Sequence, residues 1–402
     1  MKKAKLLIAA MFMAVTLGLP AKAVFAAAVT IAQADLTEAC ATPGTETAKG
    51  VTCDTAQKFY TLKAGDYTLS ENLTLPDEYF IVLGGTGNFN LDLGGKTITA
   101  NANRGVISVE NIDKNTAIAN GRIVNNYNDY SSNAVTISGV KTVLSSLNLS
   151  ATTAVTSTPN GEHASEVTLD TITANSPLQI SGGTLTINGG TYAVTGGYGA
   201  AYLNNVNTTI TGGIFTTEGA SAMYYMGSES NTLTISDGTF TSAGDNGIEF
   251  EGGNLTISGG AFTGGKAGLT LAGYRSVSLS GGTYKYTSTG LGSLGAIAVL
   301  GETDTSKLAG FLASGYKYND GTVATGRMGT TDFVYLTNHT DSVVSTTTPA
   351  PEESSSTIGA PDSGRNTKET SAATSILATL LASSALLGGV YAGKKHFAKK
   401  QA

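Results

Sequence analysis

The sequence predicts an all-β chain wound as a solenoid of parallel strands, and three observations carry that prediction. The first is an internal repeat. The segments Leu185–Tyr192 (LTINGGTY), Thr209–Phe215 (TITGGIF), Leu233–Phe240 (LTISDGTF), Leu255–Phe262 (LTISGGAF) and Val277–Tyr284 (VSLSGGTY) share one pattern, and their closing aromatics recur 23, 25, 22 and 22 residues apart. A unit of that length is too short for two helices and fits one coil of short strands. The second observation is glycine. The chain has 51 glycines in 402 residues, neither in a collagen triplet nor in one flexible run, so they punctuate something regular. The third is that charged residues make up only 13% while hydrophobic residues make up 41%, which excludes a charge-rich disordered chain and a long coiled coil.

Within each unit the alternation of Leu, Thr and Ile reads as a strand with one face inward. A Gly-Gly or Asp-Gly corner then supplies special backbone angles, and Tyr or Phe points in again. Stacking the units places Ile187, Ile210, Ile235, Ile257 and Leu279 in one interior column and Tyr192, Phe215, Phe240, Phe262 and Tyr284 in another. These aromatics are therefore expected in the core. Asn207, Asn231 and Asn254, each just ahead of its strand, are expected to form a ladder of side-chain amides at a corner. Weaker copies run upstream, with Ile98, Ile123, Leu147 and Ile172 about one period apart. The array is expected over residues 59–300, which at this period gives about 10–11 coils and a rod on the order of 50 Å long. Exposed strand edges at its ends need covers. Residues 27–58 and 301–342 fit that role, and Cys40 and Cys53, the two cysteines of the chain, suit a disulfide in the first of them.

The two ends of the chain read as targeting segments. Residues 1–26 combine Lys2, Lys3 and Lys5, an apolar run from Leu6 to Leu19 and small-residue cleavage options, the pattern of a secretory signal peptide. Residues 375–393 are apolar and just long enough to cross a bilayer as a transmembrane helix, and the basic tail 394–402 (Lys394, Lys395, Lys399, Lys400) marks its cytoplasmic side. Residues 343–374, rich in Ser, Thr, Pro and Glu, read as a disordered stalk. The formal charge is −6, but setting aside eight terminal lysines leaves 16 bases against 30 acids, which argues against nucleic acid as a partner.

Two resemblances follow from these residues. The pentapeptide Ala360, Pro361, Asp362, Ser363, Gly364, followed by an apolar helix and a basic tail, resembles the LPxTG cell-wall sorting signal, with Ala360 in place of Leu and Ser363 in place of Thr. That resemblance implies a sortase attacking the Ser363 carbonyl, releasing Gly364 onward and joining the chain to a cell-wall polymer. A plain membrane tether is the alternative. The repeat body, with Leu62–Leu69 (LKAGDYTL) and Leu91–Ile98 (LDLGGKTI), resembles the right-handed parallel β-helix family, a pectate-lyase-like fold shared by polysaccharide lyases and hydrolases and by bacterial surface adhesins.

One place on the expected rod is worth weighing for chemistry. With Ile248 and Phe250 inward, Glu249 and Glu251 share an outer face about 6.5–7 Å apart, in the lower part of the window of inverting glycosidases, ~6.5–9.5 Å. Tyr224 and Tyr202 occupy the same outer position on the two preceding coils. Two tyrosines beside two carboxylates can stack on sugar rings and bond their hydroxyls. Nothing else gathers. With His163, His339 and His396 as the only histidines there is no metal cluster, no acidic repeat of the calcium-binding kind, and no cofactor motif; Arg104, Arg122 and Arg275 are scattered. The expectation is a non-enzymatic surface protein, an adhesin or structural rod binding a host, neighbouring-cell or glycan ligand. The alternative is a surface-anchored polysaccharide lyase or glycoside hydrolase.

Overall fold

The computed structural model describes residues 28–110, 115–129, 131–288 and 292–346. The segments expected as signal peptide (1–26), sorting motif (Ala360–Gly364), apolar span (375–393) and basic tail (394–402) lie outside the described residues, as does the expected stalk from 347 on; its first residues, 343–345, instead complete the strand Thr340–Ser345, with Val343 buried. Among the described residues no helix is long and apolar enough to cross a membrane.

The chain forms a parallel β-solenoid of the right-handed type with about ten turns and little helix. Each coil contributes strands to three faces. A typical coil runs from Thr184–Ile187 on the first face to Gly190–Val194 on the second and Ala201–Asn204 on the third. The next coil repeats this with Asn207–Ile210, Ile214–Thr217 and Met223–Met226, each strand paired in parallel with its counterpart. Alternation explains the geometry, because residues two apart on a strand share a face. Where Leu/Ile alternates with Thr, one row faces in and the other faces water.

Both interior columns form as the repeat requires. Ile187, Ile210, Ile235, Ile257 and Leu279 are mutual register partners and fully buried. The aromatic column stacks ring on ring, from Tyr192 on Phe215 (4.8 Å) through Phe215 on Phe240 (4.8 Å, planes within 1°) and Phe240 on Phe262 (5.2 Å) to Phe262 on Tyr284 (5.0 Å). The corner ahead of each ring needs a positive φ, and Gly190, Gly213, Gly238, Gly260 and Gly282 supply it at +97 to +130°.

Two sequence expectations need correction. Ile98 does pair with Ile123, but Ile123 pairs onward with Leu149, while Leu147 lies opposite Gly121. Leu147 and Leu149 both face inward, so a period-2 pattern cannot tell which of them continues the column. The amide ladder of Asn207, Asn231 and Asn254 is also not formed. Thr232 sits between Asn207 and Asn254 in register, and each Asn pins a different backbone group. Asn207 accepts from Thr232 N (3.0 Å), Asn231 from Ser228 N (2.9 Å), and Asn254 donates to the Glu229 and Asn231 carbonyls (2.9 and 3.1 Å).

The ends are covered. The helix Gln33–Ala41 lies over the first coils, and a Cys40–Cys53 disulfide with Cα atoms 5.0 Å apart ties it to the strand Val51–Asp54. The strand Val29–Ile31 already pairs in parallel with Gly65–Leu69, so stacking begins inside this segment. At the far end Thr331–Leu336 and Thr340–Ser345 add antiparallel to the last coil and close its edges.

Candidate functional site

The third face brings the four predicted residues together. Register sets Gln179 beside Tyr202, Tyr202 beside Tyr224, Tyr224 beside Glu249 and Glu249 beside Thr270. A second outer line runs through Asn204, Met226 and Glu251. Met223, Tyr225, Ile248 and Phe250 are fully buried between them, which forces Tyr224, Glu249 and Glu251 outward. Beneath this surface the Tyr225 and Phe250 rings stack at 5.1 Å, and the Tyr225 hydroxyl donates to the Val206 carbonyl at 2.9 Å. The outer side chains therefore stand on a close-packed base.

Tyr202 is 41% exposed and its ring stacks on Tyr224 at 5.3 Å with planes within 16°. The Tyr224 hydroxyl donates to Glu251 Oε2, a diagonal reach, because the register partner of Glu251 is Met226. Ser221 Oγ donates to Glu249 Oε2 at 2.8 Å and accepts from Asn246 Nδ2 at 3.4 Å. Both carboxylates are thus held by a neighbour from the preceding coil.

Burial pushes the Glu249 carboxyl above the usual range; the Ser221 hydrogen bond opposes this, the Asp245 and Glu251 charges add to it, and Lys266 opposes it. Lys266 is in turn ion-paired with Asp245 at 3.1 Å. The Tyr224 hydroxyl is pushed up by burial first, then by its hydrogen bond to Glu251 and the nearby carboxylate charges. A carboxyl held in a partly dry site beside a second acid favours keeping its proton.

Sequence reasoning missed Ser221, Asn246 and Gln179. Ser221 and the neighbouring strand start at Asn246 flank corners, where no periodicity marks them; Gln179 was recoverable by extending the Tyr224 and Tyr202 position back one more coil. Of the scattered arginines, Arg104 lies over the Phe80 ring at 4.5 Å and Arg275 pairs with Glu229 at 2.9 Å. Asp237 serves its own turn, accepting from Gly238 N at 2.7 Å. Among the described residues no group of three or more His, Cys, Asp or Glu is placed to hold a metal ion. Comparison of the chain with protein-family models, with curated proteins and with solved structures finds no match in any of the three.

Proposed function

We propose that the protein is an exported, cell-wall-attached rod that works by binding, as an adhesin or structural surface protein, and that the third face is where it meets a ligand. What supports the reading is the paired arrangement of that face: two stacked, partly exposed tyrosines next to two carboxylates fixed by hydrogen bonds. Aromatic faces offer area at little entropic cost, and held carboxylates accept hydroxyl donors without first being ordered. Such a surface suits a saccharide or a polar protein patch. Attachment rests on Ala360–Gly364, the apolar run and the basic tail.

The decisive experiment is the mass of the C-terminal peptide released by wall-digesting enzymes from a sortase-bearing bacterium making the full chain. The expected peptide ends at Ser363 and carries a wall fragment. A peptide intact through Ala402, recovered only with detergent, replaces wall attachment with a membrane tether.

The raised Glu249 carboxyl favours a second reading, a glycoside hydrolase or polysaccharide lyase with Glu249 as acid and Glu251 as its partner. Sugar release by the purified protein that vanishes in Glu249→Gln would replace binding with catalysis.

A further inference from the structure

We infer that a groove between two corner loops of the solenoid binds an uncharged saccharide, at a site separate from the tyrosine and carboxylate pairs of the third face. The groove follows from corner lengths. In successive coils the second face is joined to the third by the seven positions between Asn125 and Asn133, then by 151–152, then 175–177, then 195–200. Two short corners lie between two long ones, so the short pair forms a floor and the long pair forms walls. The walls stand three strand spacings apart, about 14 Å between centres. The depression holds about 410 Å³, within the ~300–1,000 Å³ of small-ligand clefts.

The lining indicates the ligand class. Tyr127 stands in one wall and Tyr198, 49% exposed, in the other. Asn126, Asn128 and Asn175 bring carboxamides to the rim and floor, and none of the thirteen lining residues is charged. A pyranose ring offers C–H faces to aromatic walls and hydroxyls to amides that can both donate and accept. A uronate or sialic acid would lose water around its carboxylate with no cation to pair it. Two acids lie close by, Asp129 directly after the lining residue Asn128 and Glu218, which accepts from Gly196 N at 3.5 Å behind the Tyr198 wall, and both add repulsion for anions.

A second observation points to a ligand. Ser176 lies in the floor at 4% exposure, and its hydroxyl has no hydrogen-bond partner. A buried hydroxyl left unpaired costs stability. In the floor of the groove, this hydroxyl is the unsatisfied group that a sugar hydroxyl would pair once the side chain turns outward.

The walls are set before any ligand arrives. Asn125 is buried, accepts from Ala102 N (3.1 Å) and Tyr127 N (3.2 Å), and donates to the Ala102, Arg104 and Asn133 carbonyls (2.9, 2.8 and 3.1 Å). Opposite, Thr217 Oγ1 donates to the Tyr198 carbonyl at 2.6 Å. A Cβ on Gly219 would stand 2.9 Å from the Gly196 carbonyl, so this corner packs backbone to backbone against the next. Pre-set walls reduce the ordering cost of binding.

The test is an array of immobilised neutral, uronic and sialylated mono- and oligosaccharides probed with the full chain and with Tyr127→Ala, Tyr198→Ala, Ser176→Ala, Tyr224→Ala and Thr209→Ala variants. Neutral sugars are expected to bind, at an affinity that molar salt leaves unchanged. On mono- and disaccharides, too short to reach the third face, Tyr198→Ala and Tyr127→Ala should each weaken binding by about tenfold, and a Thr209→Ala control on the exposed first face should leave it unchanged. Ser176→Ala should weaken binding several-fold while the melting temperature holds or rises, a pairing that a purely structural role for the hydroxyl does not produce. An array that stays silent, including one where a peptide probe binds instead, overturns the proposal. So do binding confined to charged sugars, binding that survives both groove tyrosine variants, and binding lost only in Tyr224→Ala, the last of which assigns recognition to the third face.

Discussion

Phe240→Ala is the sharpest probe of the aromatic column, because Phe240 is fully buried with a parallel ring on each side, Phe215 at 4.8 Å and Phe262 at 5.2 Å. Truncating a buried Phe to Ala costs ~3–5 kcal/mol through lost transfer energy and the cavity left behind. The stacking share is separable. Two ring pairs at ~0.5–1.5 kcal/mol each give about 1–3 kcal/mol, which Phe240→Leu isolates by keeping most of the apolar volume. Tyr192 has a ring neighbour on one side and Ala174 on the other, so the same reasoning gives Tyr192→Leu about half the stacking loss. Long repeat arrays depart from two-state unfolding, so hydrogen exchange resolved by peptide is the appropriate assay. In a solenoid each coil touches only its neighbours, and lost protection should concentrate in residues 209–286 and fade beyond them. A Phe240→Ala penalty under about 1 kcal/mol would refute the reasoning that the stacked column stabilises its coils. So would protection lost evenly along the rod.

The other predictions concern charge, backbone and the cap. Glu249 has its carboxyl raised in the folded state, so between the ordinary glutamate value and the raised one the native protein holds a proton that the unfolded chain has lost. Stability therefore falls as pH rises through that window, and Glu249→Gln, which keeps an acceptor for Ser221, should melt higher than the parent above the window and alike below it. A melting-temperature difference that does not vary with pH would contradict this. Gly183 has φ +72° and a Cβ there would stand 2.0 Å from the Ser165 carbonyl, so Gly183→Ala should prevent stable folding of that coil, seen as loss of soluble protein. Gly196→Ala, at φ +96° with nothing near, should cost only the left-handed penalty of about 1–2 kcal/mol in urea titrations. Reducing the Cys40–Cys53 bridge, which spans 13 residues, should remove about 3 kcal/mol from the N-terminal cap. Exchange should then rise in residues 29–62 and not in the coils after them.

The later coils were legible because their signals coincide: a Gly corner at positive φ and an aromatic two residues later fix both the bend and the inward column. The earlier coils keep the fold without that signature. Their corners use single left-handed residues, Asn120, Ser146 and Thr171, in place of a glycine pair, and Leu149 and Ala174 occupy the aromatic position. With two inward leucines two residues apart, the register of that coil depends on stacking against its neighbours, which one-dimensional periodicity does not contain. The outer face followed from strand alternation, so Tyr202, Tyr224, Glu249 and Glu251 were found together. Their hydrogen-bond partners were not. Ser221 meets Glu249 across 28 residues and Tyr224 meets Glu251 across 27, distances set by corner lengths rather than by the period itself.

Corner length also governs how the groove and the third face relate. The floor residues Ser176 and Pro177 run directly into Leu178–Ser181, whose Gln179 is the register partner of Tyr202. Tyr198 likewise precedes Ala201–Asn204, the strand that carries Tyr202. The two surfaces are therefore adjacent along these coils, linked by the exposed Gln179, and a linear ligand seated in the groove can extend toward Tyr202, Tyr224 and the carboxylates. A double-mutant cycle of Tyr198→Ala and Tyr224→Ala, read against oligosaccharides of increasing length, separates one extended site from two. Substitutions without a shared partner add within about 0.3–0.5 kcal/mol. Short oligosaccharides should respond to Tyr198→Ala alone. If one chain spans both surfaces, the longer ones should respond to both, with a coupling energy beyond that limit that appears at a threshold length; strict additivity at every length would mean that the face and the groove recognise separate molecules.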